Sequence, residues 1–104
     1  MPTPHRPPPA ALRALRTLGG DVREARLRRD LSMALVAERA FTSRSTLQRV
    51  ERGDPTVGIG IYAAVLHVLG LADRLAAVAD PGADELGRLL DTARLPKRAG
   101  RRRG

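Results

Sequence analysis

The apolar residues of this chain recur every three or four positions, which is the spacing of one face of an α-helix. Capping residues and helix breakers divide this pattern into short segments. A turn or two of helix is expected at residues 11–18, ended by Gly19 and Gly20. Six further helices are predicted, and with their caps they cover about residues 21–29, 32–40, 43–53, 61–69, 72–79 and 84–93. The pattern therefore predicts an all-α fold, a bundle of five or six helices.

Composition narrows what the core and the sites can contain. Hydrophobic residues make up 42% of the 104 residues but aromatic ones only 2%, so Leu, Val, Ile and Ala must form the core, which favours packing of helix on helix. The absence of Cys and the presence of only two His leave no disulfide and almost no ligands for zinc. No apolar run approaches the roughly 20 residues of a membrane span. We expect a cytoplasmic protein without metal or cofactor.

Charge is unevenly distributed along the chain. Residues 1–52 hold eleven Arg against five acidic residues, whereas residues 53–96 hold three Arg against six acidic residues, a net charge of −3. Residues 97–104 hold five basic residues and no acidic one. Basic ends around an acidic middle indicate two different partners, although a soluble domain with a basic tail is the alternative.

The same composition divides the chain into four parts. Residues 1–17 form a leader rich in Pro and Arg that we expect to be disordered. Residues 18–79 contain the helical domain, and residues 80–96 contain a C-terminal helix for dimer or partner contacts. Residues 97–104 form a basic tail that we also expect to be disordered.

The segment LSMALVAERAFTSRSTLQRVERG, residues 31–53, has the spacing of a helix-turn-helix. Such a motif needs a small residue where its helices cross, and Ala37 fits. It also needs apolar residues where its second helix meets the core, and Leu47 and Val50 lie ten and thirteen residues after Ala37. These spacings predict two short helices joined by a tight turn, although a helical hairpin without DNA readout would show the same periodicity.

The second helix of a helix-turn-helix enters the major groove of DNA with its N-terminal half. Arginine suits the two acceptors of guanine, glutamine suits adenine and serine tolerates either. The side chains expected to point outward there, and so to read bases, are Arg44, Ser45, Gln48 and Arg49.

The run VREARLRRDLSMALVAERAFTSRSTLQRVERGDPTVG resembles the lambda-repressor-like (XRE) helix-turn-helix family, and the likeness covers about residues 18–79. Members read LSxxxLAxxxGxSxxTLxxxExG, and the residues in register include Ser32, Ala37, Ser43, Thr46, Leu47, Glu51 and Gly53. The resemblance implies a lambda-repressor-like bundle and a buried ion pair between Arg26 and Glu51, both of which the helical periodicity also places on inward faces. In such a bundle we expect DNA phosphates to be contacted by Ser32, Met33, Thr46 and Arg52.

Downstream, ERGDPTVGIGIYAAVLHVLGLADRLAAVADP and DELGRLLDTARLPKR are similar to HipB-type antitoxins, the small XRE proteins paired with HipA-type kinase toxins. This resemblance implies a homodimer that represses its own operon from a palindromic operator and holds the kinase inactive. The C-terminal half also has more apolar positions than one short bundle can bury, with intrachain core as the alternative for about half of them. The candidate dimer or toxin contacts are Leu71, Leu75, Val78, Leu86, Leu89 and Leu90.

Two positions differ from the family pattern. Phe41 stands where glycine is usual in the turn, and Met33 stands where the family places a glutamine against phosphate. These differences keep open an interaction module with a vestigial helix-turn-helix, and a stand-alone XRE-type regulator without a toxin is another alternative. No catalytic constellation is visible, since His67 has no carboxylate or Ser nearby in sequence. We therefore expect a DNA-binding regulator at the nucleoid and not an enzyme.

Overall fold

The structure is a computed structural model that describes residues 5–101, with side chains up to residue 94. Every regular element in this range is helical, which confirms the predicted all-α class. A short 3-10 helix, Pro81–Ala83, precedes the last α-helix. The α-helices are α1 (Pro9–Arg28), α2 (Met33–Arg39), α3 (Arg44–Glu51), α4 (Ile59–Val68), α5 (Ala72–Ala76) and α6 (Glu85–Arg101).

The first helix differs most from the sequence-based prediction. It includes the turn or two of helix expected at residues 11–18 but runs unbroken through Gly19 and Gly20. Residues 9–17 of the leader expected to be disordered are thus helical, while residues 1–4 lie outside the described range. Gly19 is present because α1 crosses the end of α3 there. A Cβ atom at Gly19 would lie 2.5 Å from the carbonyl oxygen of Val50 and 2.6 Å from the amide nitrogen of Gly53. The glycine permits a close helix crossing and does not end the helix.

Substitutions at the two neighbouring glycines should have opposite effects. Gly19→Ala should lower the free energy of unfolding by about 1–3 kcal/mol, because its methyl group would press on the backbone of α3. A Cβ atom at Gly20 meets nothing within 4 Å, so Gly20→Ala should raise that free energy by up to about 1 kcal/mol through its helix propensity. Urea unfolding of both variants measures the difference. Equal effects at the two positions would contradict the close crossing.

The core lies among the first four α-helices. Helix α1 packs on α3, and α2 packs on both α3 and α4. Leu47 and Val50 are fully buried, as their spacing predicts, and Ala37 is buried beside them. Apart from Tyr62, the buried hydrophobic residues are aliphatic. This core fixes the inward side of α3 and leaves its opposite side exposed.

The boundaries of the later helices also differ from the prediction. Helix α4 begins two residues earlier than expected, at Ile59, and Gly70 closes it with a φ of 78°. Helix α5 ends at Ala76 and not at Ala79. Helix α6 continues to Arg101, so residues 97–101 of the expected disordered tail are helical, and residues 102–104 lie outside the description. Lys, Arg and Ala in this stretch are good helix formers, whereas Pro96 and Gly100 are not.

Candidate nucleic-acid interface

Two serine-capped helices frame the candidate interface. The Oγ atom of Ser32 accepts a hydrogen bond from the amide of Leu35 at 3.0 Å and begins α2. The Oγ atom of Ser43 accepts from the amide of Thr46 at 3.1 Å and begins α3. Such caps each stabilise a helix by about 1 kcal/mol. The two caps are the first residues of the predicted ranges 32–40 and 43–53.

The turn between α2 and α3 is built around a strained residue. Phe41 has a φ of 56°, the left-handed region that glycine adopts without cost, and its side chain is 96% exposed. The amide of Phe41 donates to the carbonyl of Glu38, and the amide of Thr42 donates to that of Ala37 at 2.9 Å. The turn therefore keeps the hydrogen bonds of a helix that ends at glycine. The positive φ costs about 1–2 kcal/mol of backbone strain, and the exposed ring of Phe41 gains no burial that would offset this cost.

The outer side of α3 and the start of α2 form one surface. Met33, Arg44, Ser45 and Gln48 line a shallow depression of about 230 Å³. The three residues of α3 are exposed, whereas Met33 packs partly against the core. Arg44, Ser45 and Gln48, three of the four residues predicted to read bases, thus lie together. Met33, one of the four residues predicted to contact phosphates, lies beside them.

The other three predicted phosphate residues are Ser32 at the start of α2, Thr46 in the first turn of α3 and Arg52 just after that helix. Ser32 and Ser43 occupy the caps, and the Oγ1 atom of Thr46 accepts from the hydroxyl of Ser43 at 3.0 Å. Arg52 is exposed just beyond the last turn of α3. Because a hydroxyl that accepts a hydrogen bond keeps its own O–H, Ser32 and Thr46 retain a donor for an outside anion.

Arg49, the fourth predicted base reader, is engaged elsewhere. Its Nε atom donates to the Oδ2 atom of Asp54 at 2.9 Å, and its Nη2 atom donates to the Oγ1 atom of Thr56 at 2.6 Å. The buried Tyr62 donates its hydroxyl to the carbonyl oxygen of Asp54 at 2.8 Å, and burial raises the pKa of that hydroxyl. These bonds hold Arg49 against the loop that follows α3. In this conformation Arg49 positions the loop, while 44% of its side chain remains exposed, and its role as a base reader stays a prediction.

The sequence-based prediction does not include Asp54, Thr56 or Tyr62, although one signal was present. An Asp two residues before a Thr favours an Asx-turn, in which the carboxylate accepts the later amide. The structure contains this bond, from the amide of Thr56 to the Oδ1 atom of Asp54 at 2.8 Å. The bond from Tyr62 depends on how α4 packs, and no local pattern indicates it.

Protonation of Asp54 would break this network. The hydrogen bond from Arg49, followed by those from Thr56, lowers the pKa of the Asp54 carboxyl well below its ordinary value. Since the pKa is lowered in the folded state, the contribution of Asp54 to stability is complete above the unfolded pKa and is lost as the pH falls.

The pH dependence of unfolding tests this network. The difference in free energy of unfolding between wild type and Asp54→Asn should stay constant from about pH 8 to pH 5 and shrink below about pH 4. Urea unfolding across the pH range measures it. In an Arg49→Met background the Asp54→Asn difference should be smaller and less dependent on pH. A wild-type difference that changes between about pH 8 and pH 5 would argue against the network.

An ion pair joins α1 to the end of α3. The Nε atom of Arg26 donates to the Oε2 atom of Glu51 at 2.7 Å, and its Nη2 atom donates to Oε1 at 3.1 Å. The third guanidinium nitrogen, Nη1, donates to the carbonyl oxygen of Leu31 at 3.1 Å. The side chains of Arg26 and Glu51 are only 9% and 6% exposed. The hydrogen bond that Arg26 donates to Glu51 raises the pKa of Arg26, although burial opposes this. The bidentate pair fixes the orientation of α3 on the core.

The six apolar candidates for partner contacts separate into two groups. Leu71 and Leu75 are partly buried against the core, so these two residues pack within their own chain. The other four are exposed by 46–78%, and they are Val78, Leu86, Leu89 and Leu90.

Several other kinds of site have no support among the described residues. No three His, Asp or Glu side chains come together there as metal ligands. His67 is exposed on α4. In the same range no helix combines the length and apolar character needed to cross a bilayer.

Comparison with known proteins gives one match. Residues 17–79, more than half of the chain, match the family described as Helix-turn-helix domain. Searches of curated proteins and of solved structures found no match. The matched segment contains the depression and the Arg26–Glu51 pair, and it ends before the 3-10 helix and α6.

Proposed function

The chain belongs to the helix-turn-helix domain family, and we propose that it is a sequence-specific DNA-binding repressor that works as a homodimer and as the antitoxin of a HipA-like kinase toxin. The observation that supports DNA binding most directly is the depression lined by Met33, Arg44, Ser45 and Gln48. It combines an arginine and a glutamine with a helix start, and this combination can contact base edges and a phosphate together. The protein acts as a regulator and not as an enzyme.

Base recognition belongs to the exposed start of α3. Arg44, in the first turn of the helix, pairs with the O6 and N7 acceptors of a guanine. Gln48, one turn later, pairs with an adjacent adenine. The hydroxyl of Ser45 can donate a hydrogen bond to a base or accept one from it. Arg49 contributes indirectly, because it holds the loop after α3 in place.

Phosphate contacts surround these bases. Arg52 supplies a charge near the end of α3, while Ser32 and Thr46 donate their remaining O–H groups. Met33 contributes its backbone N–H at the start of α2, where its family counterpart uses a side chain. Because one reading helix covers few base pairs, a dimer on a palindromic operator provides the needed specificity.

The antitoxin role is supported by the likeness of the C-terminal half to HipB-type antitoxins. The net charge of −3 over residues 53–96 disfavours DNA and suits a protein partner. The exposed Val78, Leu86, Leu89 and Leu90 supply apolar area in this half for a dimer contact or a toxin contact. A stand-alone XRE-type regulator would share the DNA surface but bind no kinase.

A second candidate function is an interaction module with a vestigial helix-turn-helix. The fully exposed Phe41 in its strained turn favours it, since exposed aromatic residues are enriched at protein interfaces. Such a module would show no preference among DNA sequences.

Copurification from the native operon and a binding assay on its upstream DNA test the proposal. The assay compares upstream DNA with random DNA of equal length at several salt concentrations. We expect a preference for upstream DNA that survives at moderate salt, while affinity for both falls with salt as counterions are released. Preference without a copurified kinase would indicate the stand-alone regulator. Equal affinity for both DNAs would indicate the interaction module.

A further inference from the structure

A groove of about 290 Å³ lies between α1 and α5. Its volume is at the lower limit of small-molecule pockets, about 300 Å³, and no polar groups converge on its floor. The exposed rim consists of Asp21, Arg74 and Val78. The floor is apolar and is formed by Leu18, Val22, Leu66, Leu71 and Leu75. Such a groove suits apolar side chains of a helix better than a polar ligand.

Helix α6 carries an uncovered apolar stripe. Leu86, Leu89 and Leu90 have the i, i+3, i+4 spacing of one helix face, and they are 66%, 67% and 46% exposed. Among the described residues, the element that α6 mainly packs against is the 3-10 helix Pro81–Ala83. The same chain therefore contains an apolar groove and an apolar helix face that do not meet within one copy.

The corner before α6 ties the start of that helix to the preceding 3-10 helix. The carboxylate of Asp80 accepts from the amide of Gly82 at 3.1 Å, and that of Asp84 accepts from the amide of Gly87 at 3.0 Å. The Nη1 atom of Arg88 donates to the carbonyl oxygen of Gly82 at 3.1 Å. These hydrogen bonds tie the start of α6 to the 3-10 helix. In the described part of the chain α6 packs mainly on this 3-10 helix and not on α1 or α5, so the groove of its own chain stays open to a helix from a second molecule.

Charges on the two surfaces are complementary. The groove has one acidic and one basic rim residue, Asp21 and Arg74. At 100° per residue, Glu85 and Arg94 lie on opposite sides of the leucine stripe of α6. A docked α6 can therefore pair Arg94 with Asp21, or Glu85 with Arg74, beside the leucine stripe.

We propose that α6 of one copy docks in the groove between α1 and α5 of a second copy, and that the second copy does the same in return. The result is a two-fold symmetric dimer with two identical contacts. This inference takes from the proposed function only the expectation that the protein is a dimer. The contact itself involves no DNA. In this dimer the leucine stripe of α6 is covered by the chain itself, so a kinase would bind another surface.

Cysteine cross-linking tests the contact cleanly because the sequence contains no Cys. A Val78→Cys chain and a size-tagged Leu89→Cys chain are mixed and oxidised mildly. We expect the mixed disulfide between them to exceed either like-with-like disulfide several-fold, because a disulfide forms only where the Cβ atoms of the two cysteines lie close together. Ile59→Cys is the matched control, an equally exposed apolar position on α4 that should not link to Leu89→Cys.

Three cross-linking results would overturn the proposal. A dominant link between two Leu89→Cys chains would show that α6 pairs with α6. An intrachain link in a dilute Val78→Cys/Leu89→Cys double variant would show that α6 folds onto its own groove. Efficient linking of the Ile59→Cys control would show that collisions and not docking produce the disulfide.

Sedimentation velocity supplies an independent measurement. Wild type should be a dimer at micromolar concentration, and Leu86→Ser/Leu89→Arg should be a monomer with unchanged helical circular dichroism. A monomeric wild type, or a dimeric variant, would also overturn the proposal. A cross-linked dimer that shows no preference for operator DNA would leave the docking intact and would contradict the proposed function instead.

Discussion

Glu51→Ala is expected to lower the free energy of unfolding by about 3–5 kcal/mol, a large part of the stability of a small domain. The substitution removes both carboxylate oxygens that face Arg26 at 2.7 and 3.1 Å. The guanidinium would then keep only its bond to the carbonyl of Leu31. A buried charge that loses its partner lowers the stability more than replacement of both charges by apolar side chains does. Urea unfolding at constant pH measures the loss.

Glu24→Ala is the matched control for this prediction. Glu24 pairs with Arg28 at 3.4 Å on the same helix, but their side chains are 64% and 78% exposed, so its loss should change stability by less than about 0.5 kcal/mol. A double variant, Arg26→Met/Glu51→Leu, should recover much of the loss, because it removes both charges together. A loss below about 1 kcal/mol for Glu51→Ala would show that the pair is accessible to water.

Arg44→Ala is expected to reduce the preference for operator over random DNA by about 1–3 kcal/mol, which is about 5- to 150-fold. Arg44 is exposed in the first turn of α3 and lines the depression with Ser45 and Gln48. It has no part in the core, so the variant should fold normally. Competition binding at fixed salt measures the change in preference.

Comparison with Arg52→Ala separates the recognition of bases from the general attraction of a positive charge to DNA. This variant should weaken binding to all sequences alike and lower the slope of log affinity against log salt by about 1. If Arg44→Ala reduces binding to operator and random DNA equally, Arg44 does not read a base. Arg49→Ala should resemble neither variant, because Arg49 is held by Asp54 and Thr56.

The helix-turn-helix could be predicted because its determinants are local. Ser32 and Ser43 cap helices through amides three residues away, and Leu47 and Val50 are buried as periodicity requires. The Arg26–Glu51 pair follows from the inward faces of two helices together with the family resemblance.

Other features depend on tertiary neighbours and could not be predicted. Gly19 is a helix breaker by propensity alone, and only the backbone of α3 against it shows why the helix continues. Arg49 has the same helical phase as a base reader, yet the loop after α3 engages it. The leucines of α6 share the spacing of core residues, but their exposure depends on where the preceding corner points.

The attachment of α3 to the rest of the molecule is uneven along its length. Its C-terminal end is held by the α1 crossing at Gly19, the Arg26–Glu51 pair and the Arg49–Asp54 bond. Its N-terminal end is held by the Ser43 cap and the turn at Phe41. Ion pairs between side chains therefore hold the C-terminal end of α3, whereas its N-terminal end is joined to α2 through the cap and the turn. Small pivoting movements would displace Arg44 most, which lets the reading end follow sequence-dependent changes in groove width while the anchored end keeps its register with the phosphates.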